Sequence, residues 1–484
     1  MRADRHLMLP DLLMRRGAEQ AGKTAIIVTD VGEITFGEWD RRANATARAL
    51  IDRGLSPGDR VALVFGERDW IDYAVAWCGV LRAGCVAVPL SERLAPAEID
   101  YALKDCGVVQ TISKESSAEL SANDPAPVRR GLEPDKLAQI IYTSGTTGQA
   151  KGVGATHANL AYGADARHRK LAHSRHFLHA FPIGTNAGQA MLINSLDASP
   201  AALTMPMFTP GRFARLIEIY EVGTVFVVPA MAIQLLNAGV HERHDFSSVR
   251  LLGSTAASLP PSVAAGMAKA FPKATIVNYY TSTEATPAQT VMIVDPARPA
   301  SVGRPSQGGD LRILTQKGET AKPRETGEVW LRSPAGNRVY YGDRQATDRV
   351  FRDGWVRMGD LGYLDDDKFL YLVDRESDVI KSGAHKVSTI QVEAALHEHP
   401  AIAEAAVAGL PHPVLGRVAG AAVVTRAPVT PAELRTFLLD RLAPHELPSR
   451  LVFVAELPKN HLGKVVKPRL LDLIGPADTL PGRK

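Results

Sequence analysis

The stretch "IIYTSGTTGQAKGV", residues 140–153, decides how this chain is read. An apolar run ends in the hydroxyl side chains of Thr143, Ser144, Thr146 and Thr147, with Gly145 and Gly148 among them and Lys151 just beyond. Glycines let a backbone turn tightly and bring its N–H groups onto an anion. The hydroxyls add donors and the lysine adds charge, so the pattern predicts a phosphate cradle. It is not a Walker loop, which needs glycine directly before the lysine and Ser or Thr directly after it. Here Ala150 and Gly152 flank Lys151.

Strands and helices alternate on both sides of this loop. Upstream, "AIIVTDVGEITF" reads as a hairpin around Asp30, Val31 and Gly32. Thr35 and Glu38 form a capping box that opens a helix, and Gly54 stops it. "RVALVF", the apolar helix "DYAVAWCGVLRAG" and "CVAVPL" then follow the rhythm of a parallel α/β sheet. Downstream, "FLHAFPI", "TVFVVP", "VRLLGST" and "TIVNYY" are strands ending in polar or glycine-rich residues. Ligands gather at such strand ends. From about Gly327, "GEVWLRS" and "FLYLVDR" lack intervening long helices and predict a small antiparallel unit. From about Ser377 a mixture of short strands and helices predicts a second domain. No fixed-period repeat is present.

Composition bounds the function. A length of 484 residues predicts more than one domain, and 45% apolar with 22% charged residues is an ordinary globular balance. The formal charge of +4 has no basic cluster behind it and argues against nucleic acid. Cys78, Cys85 and Cys106 match no disulfide or metal spacing and are expected as buried hydrophobes in a reducing compartment. The N-terminal "MRADRHLMLPDLLMRRG" is charged and interrupted, and no run of about 18 apolar residues occurs. The expected location is the cytoplasm, with no membrane partner.

The loop resembles the signature of the adenylate-forming superfamily: acyl-CoA synthetases, luciferases and peptide-synthetase adenylation domains. Other blocks resemble the same family in the same order: "NYYTSTEA" (278–285), "SVGRP" (301–305), "GEVWLRS" (327–333), "GWVRMGDLG" (354–362), "DRESDVIKSGAHKVS" (374–388) and "LPKNHLGKVVK" (457–467). The likeness spans nearly the whole chain. It implies an α/β fold with a large multi-subdomain N-terminal domain, residues 1–376, whose parallel sheets are flanked by helices and carry a small β unit. A small mobile α+β domain, residues 377–484, follows as a lid.

The resemblance also implies a reaction: a carboxylate joins the α-phosphate of ATP and pyrophosphate leaves. By this likeness, residues 143–151, meaning Thr143, Ser144, Gly145, Thr146, Thr147, Gly148 and Lys151, hold the β- and γ-phosphates. Glu284 binds Mg²⁺, Thr283 touches the α-phosphate, and Tyr280 stacks on adenine. Ser254, Tyr279 and Thr281 complete the nucleotide site. Asp360 accepts the ribose hydroxyls, a task suited to two carboxylate oxygens. Arg375 contacts ribose or phosphate, and Lys464 reaches in from the small domain to bridge substrate and α-phosphate. The implied cofactors are ATP and Mg²⁺, with coenzyme A as a candidate co-substrate.

Departures from the family pattern bear on the substrate. Thr281 replaces a glycine against the acyl end, which predicts a shortened pocket and a small or compact acid. Gly184 and Thr185 stand where the family often has an aromatic gate, which puts thioester formation in question. No acid lies between His179 and Asp197, so an α-amino acid would leave its ammonium unpaired. Ser377 occupies the hinge, Ala384 replaces a glycine of the following loop, and no carrier domain follows Lys464 before Lys484. His168, His173, His176 and His179 fall close together, but they sit in a core-like strand without a completing acid or cysteine, so metal is not expected.

Three readings follow. The first is a ligase that forms an acyl adenylate and transfers it to coenzyme A or a carrier thiol. The second keeps the chemistry with another oxyanion, such as nitrite, and an aryl amine acceptor, as in diazotases. The third is a degenerate nucleotide binder, against which Glu284, Asp360, Arg375 and Lys464 together argue.

Overall fold

Hydrophobic alternation and turn chemistry place the first elements. Thr24–Val28 and Gly32–Thr35 form the expected hairpin, with Asp30 at φ +59° in its turn. Helix Phe36–Asp52 starts where the Thr35 hydroxyl accepts the Glu38 N–H at 3.3 Å. The computed structural model describes residues 7–143, 149–165, 169–306, 308–333, 335–383, 385–460 and 463–477. Loop residues Ser144, Gly145, Thr146, Thr147 and Gly148, together with His168 and Ala384, lie outside them.

The described strands form three sheets. The first has six strands in the order Val339–Tyr340, Lys151–Thr156, Leu137–Thr143, Val86–Ser91, Arg60–Phe65 and Gln110–Ile112. The phosphate-loop segment therefore joins two adjacent antiparallel strands, with Thr143 opposite Lys151.

The second sheet has fourteen strands. Its parallel part runs Thr24–Val28, Ala201–Thr204, His176–His179, Thr224–Val227, Leu251–Ser254 and Thr275–Tyr280. Antiparallel pairing then takes over at Thr290–Ile293 and continues through Ser301–Pro305, Leu370–Arg375, Trp355–Leu364, Gly327–Arg332 and Asp310–Leu314. This corrects the expectation of a unit starting near Gly327. The antiparallel part starts earlier and is continuous with the parallel strands. Its first strands are only four or five residues long, too short to show a period.

The third sheet has five strands, including Ile380–Ser382, Ile402–His412 and Gly416–Thr425. It builds its own core from Val392, Leu396, Val407, Ala421 and Leu434, covered by helices Thr389–His397 and Pro431–Leu439. A large N-terminal part and a small C-terminal part result. The large core holds Trp39, Trp70, Trp77 and Tyr73 fully buried. All three cysteines are buried, and burial pushes the Cys78 thiol up to about 12 and Cys85 up to about 11. These thiols behave as inert hydrophobes. Among the described residues no helix is long and apolar enough to cross a membrane.

Candidate active site

The carboxyl ends of the parallel strands open toward one region. Leu251–Ser254 ends in Ser254, whose hydroxyl is buried without a partner. Its neighbour Thr275–Tyr280 ends in Tyr279 and Tyr280 and leads into Thr281–Glu284. Gly253 permits this packing, because a Cβ there would lie 2.8 Å from the Phe226 ring and 2.9 Å from Tyr279.

Tyr280 and Asp360, 80 residues apart, meet directly: the phenol donates to Asp360 Oδ2 at 2.5 Å. Asp360 is paired in register with Arg375 on the neighbouring strand, and Arg375 Nε lies 3.6 Å from Asp360 Oδ1. Burial raises the Asp360 carboxyl above its ordinary range, opposed by the Tyr280 hydrogen bond and by Arg375. Burial and the adjacent Asp360 likewise push Tyr280 well above its ordinary value. Sheet register thus makes one cluster of three residues that the sequence offered separately.

Thr283 and Glu284 are held from the other sheet. The Thr283 carbonyl accepts from Arg338 Nη1 at 2.8 Å, and Glu284 Oε1 accepts from the Tyr340 hydroxyl at 3.0 Å. Neither Arg338 nor Tyr340 was singled out in the sequence. Lys151 Nζ sits 5.0 Å from the Tyr340 ring centroid, and the Thr143 hydroxyl reaches Lys151 O at 3.5 Å. Lys151 therefore faces the Glu284 neighbourhood.

Lys464 enters from the small part. Its backbone is fixed by a tight turn in which Lys464 N donates to Asn460 Oδ1 at 3.0 Å and Asn460 N to Lys464 O at 2.8 Å. Surrounding protein and then Arg375 push its ammonium below the ordinary lysine value, while Glu284 opposes the shift. Lys464 keeps an exposed surface as well, so it stands at the edge of the site rather than in its interior. Lys464 thus lies within electrostatic range of Arg375 and Glu284, which come from distant segments.

The small part is docked through the start of helix Thr389–His397. Asp374, at the end of strand Leu370–Arg375, accepts Thr389 N at 2.6 Å and the Thr389 hydroxyl at 3.1 Å, and the Ser388 hydroxyl donates to Val373 O. Asn237 adds a contact to Ala403 O at 3.4 Å.

Thr281 and the Gly184 segment, both departures from the expected pattern, adjoin each other. The Thr281 hydroxyl donates to Ala288 O at 2.7 Å and lies 3.3 Å from the Thr286 hydroxyl, which in turn accepts from Asn186 Nδ2 at 3.0 Å. Gly184 has φ +79°, and a Cβ there would press on the backbone of Ser91 and Pro89 at 3.1–3.2 Å. An aromatic side chain is therefore excluded at this turn by backbone geometry. Thr185 caps helix Asn186–Asp197, accepting Gly188 N at 2.9 Å.

The three described histidines of the sequence cluster bond and pack within the fold. His179 is fully enclosed, pushed down to about 3 by burial, packs edge-on against Trp70 and accepts Phe181 N at 3.2 Å. His176 bonds Tyr220 O at 3.0 Å and His173 the Thr224 hydroxyl at 3.0 Å. Among the described residues no group of three His, Cys, Asp or Glu could hold a metal.

Residues 13–341 match the family described as AMP-binding enzyme, and residues 391–464 match the AMP-binding enzyme C-terminal domain. A feruloyl-CoA synthase from an Amycolatopsis species is 31% identical over 465 residues, covering 90% of this chain and 92% of its own. The structure of an o-succinylbenzoate CoA synthetase from Bacillus subtilis, in complex with its acyl-adenylate intermediate, superposes with a TM-score of 0.83 at 26% identity, covering 95% of this chain and 98% of that one. An amide bond synthetase from Marinactinospora thermotolerans matches with a TM-score of 0.83 at 26% identity over 96% of this chain and 99% of that one. With these matches to set beside the order of its sequence blocks, the chain belongs to the AMP-binding enzyme family and is an ATP-dependent, AMP-forming ligase.

Proposed function

We propose that the protein activates a small or compact carboxylate as its acyl adenylate, with release of pyrophosphate, and then passes the acyl group to a thiol. The observation that carries this is the Tyr280–Asp360–Arg375 cluster set beside Thr283 and Glu284, with Lys464 of the small part in electrostatic range of Arg375 and Glu284. Joining a carboxylate to a phosphate brings two anions together, and pre-placed cations and donors stabilise the charge that spreads over the transition state. In this reading Lys464 neutralises the reacting oxygens and residues 143–151 hold the outer phosphates. Thr283 addresses the α-phosphate, Tyr280 lies against adenine with Ser254, Tyr279 and Thr281 nearby, and Asp360 with Arg375 reads the ribose.

The donor set also fits Mg²⁺. Glu284 offers a hard oxygen, one of its two being held by Tyr340, and among the described residues it is not part of a group of three or more His, Cys, Asp or Glu that would form a closed protein cage. A magnesium ion that keeps waters and takes phosphate oxygens needs one such ligand. When bound, it neutralises phosphate charge. The small domain, residues 377–484, would pivot near Asp374–Ser377 and carry Lys464 in and out.

The relatives named for feruloyl-CoA and o-succinylbenzoate CoA synthesis support coenzyme A as the thiol. The likeness to an amide bond synthetase favours a second reading, the same adenylation with an amine as acceptor. The test incubates the enzyme with ATP, Mg²⁺ and a panel of acids, then adds coenzyme A or amines and reads product masses. Thioesters of compact acids are expected. Amides without any thioester would overturn the thiol step. Lys464→Ala should slow single-turnover adenylate formation by about 10²–10³, and an unchanged rate would remove Lys464 from the chemistry.

A further inference from the structure

The two-residue strand Val339–Tyr340 is the outermost strand of the first sheet. It pairs with Val153 and Gly154 of the strand that begins at Lys151, and Tyr341 N donates to Gly152 O at 2.8 Å. Just before it, Asn159 Nδ2 holds the carbonyls of Ala335 at 2.7 Å and Gly336 at 3.2 Å. The segment is thus fastened to the phosphate-loop hairpin from both ends.

Arg338 and Tyr340 are two residues apart and both reach the second sheet, where Arg338 donates to the Thr283 carbonyl and Tyr340 to Glu284. Arg338 is 4% exposed, its Nε is buried without a partner, and burial pushes the guanidinium down to about 10 against the opposing charge of Glu284. A buried guanidinium is costly unless it is paired and hydrogen-bonded. Here it fixes a backbone carbonyl beside a carboxylate, and the phenol two residues on fixes that carboxylate.

We propose that Arg338 and Tyr340 are positioning residues that brace the Thr283–Glu284 pair against strand Lys151–Thr156, so that the second oxygen of Glu284 is presented to a divalent cation on the nucleotide. This rests on the reading of Glu284 as the metal ligand given above. Tyr340 also connects the two halves of the site through its ring, which lies 5.0 Å from Lys151 Nζ while its hydroxyl holds Glu284. Groups that orient a metal ligand typically govern about 10–100-fold in metal affinity.

The test separates metal from nucleotide. Nucleotide binding is measured by calorimetry in EDTA and across a Mg²⁺ titration, and Mn²⁺ uptake by the enzyme–ATP complex is followed by electron paramagnetic resonance. Tyr340→Phe keeps the ring over Lys151 and removes only the hydroxyl. It should weaken the apparent cation affinity about ten-fold while ATP binding in EDTA stays within two-fold. Arg338→Met should show the same cation defect, with Arg338→Lys intermediate. Because Arg338→Met could fail to fold, Tyr340→Phe carries the decision. A cation affinity within two-fold of wild type in Tyr340→Phe, or an equal loss with and without metal, overturns the brace. Glu284→Gln distinguishes the two levels. If it too leaves cation affinity unchanged, the metal-ligand reading falls; if it alone weakens the cation, only the bracing role falls.

Discussion

Asp374 joins the two parts of the molecule, and its removal should change their relative orientation. Its carboxylate closes the first turn of helix Thr389–His397 with two bonds, from Thr389 N at 2.6 Å and Thr389 Oγ1 at 3.1 Å, and it is 2% exposed. Both bonds cross the segment proposed as the hinge, so rotation of the small domain about Ser377 would break them. Loss of an N-terminal cap costs about 0.5–2 kcal/mol, and a buried carboxylate at a helix start lies at the upper end. Taking about 2 kcal/mol, Asp374→Ala should shift the docked-to-released ratio about 30-fold, at 1.4 kcal/mol per decade. Spin labels at Lys273→Cys and Arg435→Cys, both exposed positions on the two parts, would report the distance between them. The native cysteines are buried and would not compete for label. The expected result is a new longer-distance population and slower adenylate formation, with transfer to the acceptor undiminished. A distance distribution identical to wild type, or a loss of melting temperature with unchanged partial rates, would refute the latch.

Two further outcomes follow from burial and packing. Thr281→Gly should extend turnover toward longer acids, since one methylene in an apolar pocket is worth about 1–3 kcal/mol; an unaltered chain-length profile would show that Thr281 does not bound the pocket. His179 is held neutral, its folded pKa lowered to about 3, so between that value and about 6.5 the unfolded chain binds more protons than the folded one. Stability should therefore be full above pH 6.5 and fall as pH drops, by about 1.4 kcal/mol per unit from this residue. His179→Leu should flatten the pH dependence of the urea midpoint between pH 6.5 and 5, and an unchanged slope would mean the imidazole already titrates in the fold.

What could be read in the sequence and what could not divide along a physical line. The hairpin at Asp30 and the cap at Thr35 are legible because their donors, turn residues and apolar partners are neighbours in the chain. The candidate residues of the proposed nucleotide site come from local blocks, while their mutual bonds cannot be read from those blocks. Tyr280 finds Asp360, and Arg338 finds Thr283, only because strands from distant segments are aligned or abutted. Arg338 and Tyr340 carried no signal of their own, since an arginine and a tyrosine two residues apart read equally well as the outer face of an edge strand. The start of the antiparallel unit was missed for the related reason that strand direction depends on crossovers rather than on composition. Gly184 shows the opposite case. Its absence of an aromatic looked like a change of chemistry, while the left-handed backbone and the nearby Ser91 and Pro89 main chain make glycine a steric requirement. The missing aromatic therefore says nothing against a thioester-forming step, and the weight of substrate choice moves to Thr281, Thr286 and Asn186. Their hydroxyl and amide groups are already spent on one another and on the Ala288 carbonyl. Hydroxyls engaged in this way have less capacity left for a polar substrate, so the expected acid is compact with an apolar body, and the Thr281→Gly chain-length profile tests that expectation.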